Sequence, residues 1–563
     1  MKRLATCAAL LVSIAAFGCR PRERSAPSGG ASEPSHPADQ TVNLTFTYGS
    51  EKEDWIKNVT AAFNQEDHKT AAGKFIRVEA IPMGSGDLID ELVQGTRHAD
   101  LASPASAAFI KLGNVESRTK TGKDLIGPTD NLVISPVVIA MWKPMAEALG
   151  WPAKPLGWSD ILDRAADARG WGAYNHPEWG PFRFGHTSPE SSNSGLISIL
   201  AEAYAATGKK AGLTLQDVND EKTAKFIAGI EQSVVHYGSS TGFFAKKMFS
   251  NGPQYLSAAV MYENMVIESY SPSYQVPFPV VAIYPKDGTF WSDHPVGIVN
   301  REWVTAEKRD AAKVYIDYLL AKPQQEKAIP YGFRPGSTDV APAAPIDPAH
   351  GVDPREPKTT LEVPSTEVMD AVLKSWHVNK KHADVTLVFD TSGSMKEDHK
   401  IENARDGALQ LVQNMSNDDL FSLLPFSNEP AIARSHESLR TARNDVQQSI
   451  NGLYPSGGTA LYDAIDMAYR DQMQRGGESA GRITAIVVLT DGADRDSRMK
   501  LDDLLNEIRF DNERRTIRVF TIAYGGDARK DVLARIADAT QAKSYEGNPQ
   551  NIRAILREIS TFF

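Results

Sequence analysis

From Val42 the chain alternates apolar and polar positions, with Val42, Leu44, Phe46 and Tyr48 on one face, which predicts a strand. Trp55, Val59 and Phe63 follow at helical spacing, and Ile76, Val78 and Ala80 repeat the strand pattern. Strand and helix keep alternating to about residue 335, which predicts an α/β region large enough for two lobes. The rhythm breaks over Arg334 to Pro364, a proline-rich stretch with few periodic apolar positions, which reads as an interdomain linker. Ser365 then caps a predicted connector helix carrying Val368, Met369, Val372 and Trp376 on one face. From Asp384 the pattern changes to short strands apolar on both faces: Val385 to Phe389, Leu420 to Phe426, Ala485 to Leu489 and Ile517 to Ala523. Amphipathic helices lie between them, near Ile401 to Met415 and Leu461 to Gln474. Strands of that kind belong in a sheet covered on both sides, so the last part of the chain predicts a doubly wound α/β domain.

At 563 residues the chain exceeds one compact core, and its net charge of −10 offers no basic surplus, which argues against nucleic acid as the main partner. Both cysteines, Cys7 and Cys19, fall at the amino terminus, so neither a disulfide framework nor a thiolate metal site is available. Met1-Lys2-Arg3 and the apolar run from Leu4 to Phe17 predict a secretion signal over residues 1–18. The sequence Ala16-Phe17-Gly18-Cys19 resembles a bacterial lipobox, which implies cleavage before Cys19 and lipidation of that residue. Cleavage nearby with Cys19 left as a free thiol is the alternative. Residues 19–41 then form a polar tether, and the expected place is the cell envelope, in the periplasm or on the extracellular face, held to the membrane by lipid.

The first predicted strand of the last domain ends in Asp390-Thr391-Ser392-Gly393-Ser394, at the sheet edge where open α/β folds place ligands. Pro455-Ser456-Gly457-Gly458-Thr459-Ala460 precedes a helix, and Leu489-Thr490-Asp491-Gly492 closes the most apolar strand. In this order the three segments resemble the metal-binding signature of von Willebrand factor type A (VWA) domains. The resemblance implies a Rossmann-like VWA domain over residues 383–563 in which Asp390, Ser392, Ser394, Thr459 and Asp491 hold Mg²⁺ or Mn²⁺. It also implies a vacant coordination position for an Asp or Glu of a protein partner. Asp494 and Asp496 lie just beyond, either as solvated loop carboxylates or as helpers of a second cation.

In the first region four small or hydroxyl-rich turns stand where a strand hands over to a helix. They are Tyr48-Gly49-Ser50, Gly84-Ser85-Gly86, Ser103-Pro104-Ala105-Ser106 and Ser191-Ser192-Asn193-Ser194-Gly195. Each could be an N-cap, and each could offer N–H and O–H donors to an anion. Together with Gly185-His186-Thr187, Tyr262-Glu263-Asn264 and Gly332-Phe333-Arg334-Pro335-Gly336, they resemble the type II periplasmic binding proteins, specifically bacterial extracellular solute-binding families. The resemblance covers about residues 42–345 and implies two lobes joined by crossing strands, Val133 to Met141 and Ala258 to Met261. It implies Ser50, Ser85, Ser103, Ser194 and Tyr262 as ligand contacts, for an oxyanion or a small polar organic solute. Residues 346–382 are the linker and connector helix.

Gly238-Ser239-Ser240-Thr241-Gly242 matches the GxSxG pattern of a nucleophile elbow but lacks the apolar strand such an elbow needs, and reads as a loop into a helix. His176 and His186, beside prolines, read as loop or cleft-wall residues. The expected function is therefore binding without catalysis: a solute module joined to a VWA module that captures a protein partner through its metal. The alternative is the receptor of an ABC-type transporter with the VWA domain as scaffold.

Overall fold

The computed structural model describes residues 36–475, 481–509 and 517–563. The expected signal, the lipidated Cys19 and most of the tether lie outside them. Thr41 is already in the first strand, Thr41–Gly49.

Three sheets build the described residues. The first runs in the order Phe75–Met83, Thr41–Gly49, Leu101–Ser103, Pro295–Val299, Ile126–Asn131. Its first three strands are parallel, and Pro295–Val299 returns antiparallel between Leu101–Ser103 and Ile126–Asn131. The predicted alternation holds: Val42, Leu44, Phe46 and Tyr48 are buried, and Trp55, Val59 and Phe63 cover them from the helix Glu53–Gln65. The second sheet is centred on Val133–Trp142, which pairs antiparallel with Ala258–Tyr262 and with Val280–Ile283. Leu132 and Val133 belong to the core of the first lobe while Val137 to Trp142 belong to that of the second, so this strand crosses between lobes.

The third sheet has the order Arg434–Ser438, Leu420–Phe426, Ala383–Asp390, Ile483–Thr490, Ile517–Tyr524, Ser544–Gly547. All neighbours are parallel except the Arg434–Ser438 edge. Every residue of Ala383–Asp390, Ile483–Thr490 and Ile517–Tyr524 is buried, as strands covered on both faces must be. One apolar cluster runs without a break from the first lobe through the second and the connector helix Thr366–Asn379 to one face of this sheet.

The proline-rich segment is fastened to the second lobe. Arg334 donates to both oxygens of the buried Glu263 at 2.8 and 2.7 Å, and also to the carbonyls of Asp353, Pro354 and Glu356. Ala282 N–H donates to Gly351 O and Leu361 N–H to Thr289 O. Two motifs separated in sequence, Tyr262-Glu263-Asn264 and Gly332 to Gly336, thus form one bidentate ion pair. Glu263→Ala strands the guanidinium in the interior and is expected to cost about 3–5 kcal/mol in urea unfolding; a cost under about 1 kcal/mol would contradict this role.

Candidate functional site

At the carboxyl edge of the third sheet, Asp390 ends its strand and Asp491 follows the adjacent one, in register through Phe389 and Leu489. Ser392 N–H donates to Asp390 Oδ1 at 2.7 Å and Thr490 Oγ1 to Oδ2 at 2.6 Å, so both carboxylate oxygens are held. Ser394 Oγ donates to Asp491 Oδ1 at 2.7 Å and lies 3.0 Å from Ser392 Oγ. Thr459 comes from the turn before the helix Leu461–Gln474; Gly393 N–H donates to Gly457 O, joining the two loops. A Cβ on Gly492 would stand 3.6 Å from Thr459 Oγ1, which sets that hydroxyl against the loop after Asp491. Burial pushes the Asp390 carboxyl up to about 6, with Asp491 adding and the Thr490 and Ser392 hydrogen bonds opposing. The donors are all oxygen, two carboxylates and three hydroxyls, which fits a hard divalent cation better than zinc.

At this edge Lys400 escaped the sequence, and Asp494 and Asp496 take a role that the sequence did not suggest. Lys400, buried at the start of the helix Lys400–Asn414, donates to Asp491 Oδ2 at 2.8 Å and already supplies one positive charge. Asp496 accepts from Thr459 N–H and Asp494 from Tyr462 N–H, so both carboxylates cap backbone donors of the loop and helix start.

Of the residues expected to contact a solute, Ser50, Ser85, Ser194 and Tyr262 have their hydroxyls engaged by the protein, and Ser103 does not. Ser50 Oγ accepts from Gly242 N–H of the other lobe at 3.2 Å. Ser85 Oγ accepts from Ala105 N–H. Ser194 Oγ bonds Thr187 and Thr241, and the Tyr262 hydroxyl accepts from Asn193. Ser103 Oγ is buried with no partner. Two of the four sequence turns plug one another: the Ser191 carbonyl accepts from Gly86 N–H at 2.8 Å and Asp87 N–H at 3.4 Å, at the start of the helix Ser85–Gln94. The lobes are shut on themselves.

Beside this closure the buried Glu51, Lys52 and His294 form a contiguous set, with Lys52 Nζ 2.6 Å from Glu51 Oε1 and His294 Nδ1 3.2 Å from the same oxygen. Burial would raise the Glu51 carboxyl, but Lys52 and His294 outweigh it and hold it at about 2. Next to it opens a cavity of about 370 Å³ lined by Trp55, Tyr270, Glu53, Asp54, Glu268 and Lys246. Burial alone would lower the Lys246 pKa; Glu268, Glu53 and Asp54 raise it instead, so the field there is negative.

A second cavity, about 410 Å³, lies where the last helix, Ile552–Ser560, meets both lobes. Arg557 donates to Asp90 and Glu91 of the first lobe at 3.1 and 2.7 Å. Glu558 accepts from Ser239 of the second lobe at 3.2 Å, the Phe562 carbonyl accepts from Tyr237 N–H, and the Phe562 ring packs edge-on against Phe243. Ser240, the serine of the GxSxG pattern, is the N-cap of the helix Thr241–Asn251.

In the core of the second lobe, His186, Glu202 and Glu231 present ligand atoms within 4.8 Å of one another, all buried. Among the described residues this is the group of His, Cys, Asp and Glu side chains able to share a metal ion. His186 is thus a core residue, not the loop or cleft-wall residue the sequence suggested. The available signal was Glu202, the one charged residue inside the mostly apolar Leu196 to Ala206.

Comparison with known proteins matches two families. The bacterial extracellular solute-binding protein family matches residues 44–334, just over half of the chain, and the von Willebrand factor type A domain matches residues 384–555. The uncharacterized protein sll0103 of Synechocystis sp. is 27% identical over 188 residues, 32% of this chain and 42% of that protein. The chain therefore spans less than half of this relative's length. The periplasmic binding protein P5PA shares 14% identity over 60% of this chain and 99% of its own, with a TM-score of 0.41. A von Willebrand factor type A structure from Catenulispora acidiphila shares 19% identity over 32% of this chain and 42% of its own, with a TM-score of 0.28. No described helix is long and apolar enough to cross a membrane.

At the lobe junction, partial burial pushes the Asp87 carboxyl up to about 7, with Glu558, Glu91 and Asp90 adding and Arg557 opposing. An acid with a raised folded pKa binds its proton in the native state first, so stability falls from about pH 4 to pH 7 and levels off above, by at most about 1.4 kcal/mol per pH unit. Asp87→Asn is expected to raise the melting temperature over wild type at pH 8 and much less at pH 4.5. An equal difference at both would overturn the assignment.

Proposed function

This chain belongs to the bacterial extracellular solute-binding proteins and carries a VWA domain behind the solute-binding module, and from that premise we propose that it is an exported receptor for a small solute whose VWA domain braces the closed lobes. Both matched families are binding modules and neither is catalytic. The observation that carries the reading is the last helix, which touches the first lobe through Arg557 and the second through Glu558 and Phe562. Magnitudes favour the apolar part: partly exposed ion pairs contribute up to about 1 kcal/mol each, a buried phenylalanine about 1.5–3 kcal/mol.

For the solute, the chemistry next to the closed cleft favours an organic cation over the oxyanion that hydroxyls and helix starts suggested. The helix N–H groups already face the Ser191 carbonyl, and the neighbouring cavity is lined by three acids, Glu53, Asp54 and Glu268, against one cation, Lys246, with Trp55 and Tyr270 beside them. Delivery to an ABC-type permease and anchoring through a lipid on Cys19 complete the reading.

A second reading rests on the paired hydroxyls of Ser392 and Ser394 on Asp491. Asp390, Ser392, Ser394, Thr459 and Asp491 would hold Mg²⁺ or Mn²⁺, which when bound supplies a Lewis-acid position for a partner's carboxylate. Lys400 pairs with Asp491 at the same edge.

Thermal unfolding of the full chain tests both. Polyamines, basic amino acids or quaternary amines at 100 times the dissociation constant should add about 2.7 kcal/mol, an effect lost in Glu268→Gln. A response only to oxyanions would overturn the cation reading, and none to any solute would overturn the receptor reading. Mg²⁺ should stabilise wild type and not Thr459→Ala; equal stabilisation of both would place the cation elsewhere.

A further inference from the structure

The second lobe encloses two carboxylates and one imidazole with no exposure at all: Glu202, Glu231 and His186 are each 0% accessible. Each is gripped from behind by one partner. His186 Nδ1 lies 2.8 Å from the Thr187 carbonyl, to which an Nδ1–H donates, and this leaves Nε2 on the inward side. Glu231 Oε2 accepts from the Tyr237 hydroxyl at 2.5 Å, leaving Oε1 beside His186 Nε2 at 2.9 Å. Glu202 Oε1 accepts from Ser198 Oγ at 3.0 Å, while its Oε2 is buried with no partner.

Charge makes this arrangement costly as it stands. Two carboxylates and one imidazole in a dry core bring at most one positive charge to two negative ones, and the unpaired oxygen of Glu202 has no donor to answer it. A divalent ion at the common point would balance both carboxylates and give the unpaired Glu202 oxygen a partner at once.

We propose that His186, Glu202 and Glu231 bind a first-row divalent transition ion, with zinc the metal favoured by one imidazole and two carboxylates in a closed core. Metal–ligand bonds of about 2.0–2.2 Å place tetrahedral donors about 3.3–3.6 Å apart, and the three ligand atoms, already within 4.8 Å, need shifts of less than a side-chain rotamer. Complete burial makes the role structural. His186 follows the short strand Phe184–Gly185, Glu202 and Glu231 sit on the helices Asn193–Thr207 and Glu221–Glu231, and Tyr237 carries the grip onward. The Tyr237 ring stands edge-on to Trp376 of the connector helix and its N–H holds the Phe562 carbonyl. The ion would therefore fasten the second lobe at the point where the connector and the last helix rest on it.

The test is the metal content of the purified full chain, from manganese to zinc, by plasma mass spectrometry beside Glu202→Gln and Thr459→Ala. The expected result is about one ion per chain in wild type and in Thr459→Ala, none in Glu202→Gln, and a lower melting temperature for Glu202→Gln. An ion content equal in wild type and Glu202→Gln overturns the proposal. So does a metal-free wild type, for which a shared proton would leave Glu202→Gln as stable or more so. If Glu202→Gln does not fold, X-ray absorption of wild type decides: one imidazole with oxygen ligands supports the site, and all-oxygen coordination or no stoichiometric ion refutes it.

Discussion

The amino-terminal half depends on one contact, the Ser191 carbonyl seated on the first N–H groups of the helix Ser85–Gln94. A helix start carries unpaired donors and partial positive charge, and something must satisfy them when the lobes shut. Here the opposite lobe does so with its own backbone. Gly84 and Gly86 make that approach possible: a Cβ on Gly86 would stand 1.7 Å from the Glu190 carbonyl oxygen, and one on Gly84 2.4 Å from that of Ser191. Ser50 then bonds across the same seam while Ser85, Ser194 and Tyr262 find partners within their own lobes, and a separate acidic cavity opens beside the seam around Trp55 and Glu268.

The seam is held from outside as well. The helix Ile552–Ser560 reaches back over both lobes, with Phe562 and Phe563 buried at its end. It packs on the helix Lys400–Asn414, whose first residue holds Asp491 at the edge of the third sheet. The edge that collects hydroxyls and carboxylates and the cleft between the lobes are thereby joined through two packed helices. Arg334 performs the corresponding task on the far side, pinning the proline-rich segment so that the connector helix enters at a fixed place.

Periodicity carried most of the architecture. Strands that are apolar on both faces, such as Val385 to Phe389, have one home in a helix-covered sheet, and alternation at Val42 to Tyr48 has another. The Asp390 group was legible because its members lie in three short segments, each at a strand end or helix start. What remained hidden depends on contacts between distant positions that no local pattern encodes. The proline-rich segment looked like a free linker because nothing in its sequence announces that Arg334 will collect its carbonyls. The turn serines looked like open donors because the Ser191 carbonyl that fills their helix start is a backbone atom. His186 was misplaced because its partners, Glu202 and Glu231, are far along the chain; only the acid in an apolar helix hinted at them.

The central claim is that the VWA domain holds the lobes shut. Electron-spin distance measurement between labels on Lys111 of the first lobe and Lys225 of the second, in the full chain without added solute, tests it directly. The account predicts one narrow, short distance in the parent chain. In the chain bearing Arg557→Ala and Phe562→Ala it predicts a broader distribution extending to longer distances. Identical distributions in the two would contradict it and leave the VWA domain a passenger on a receptor that closes by itself.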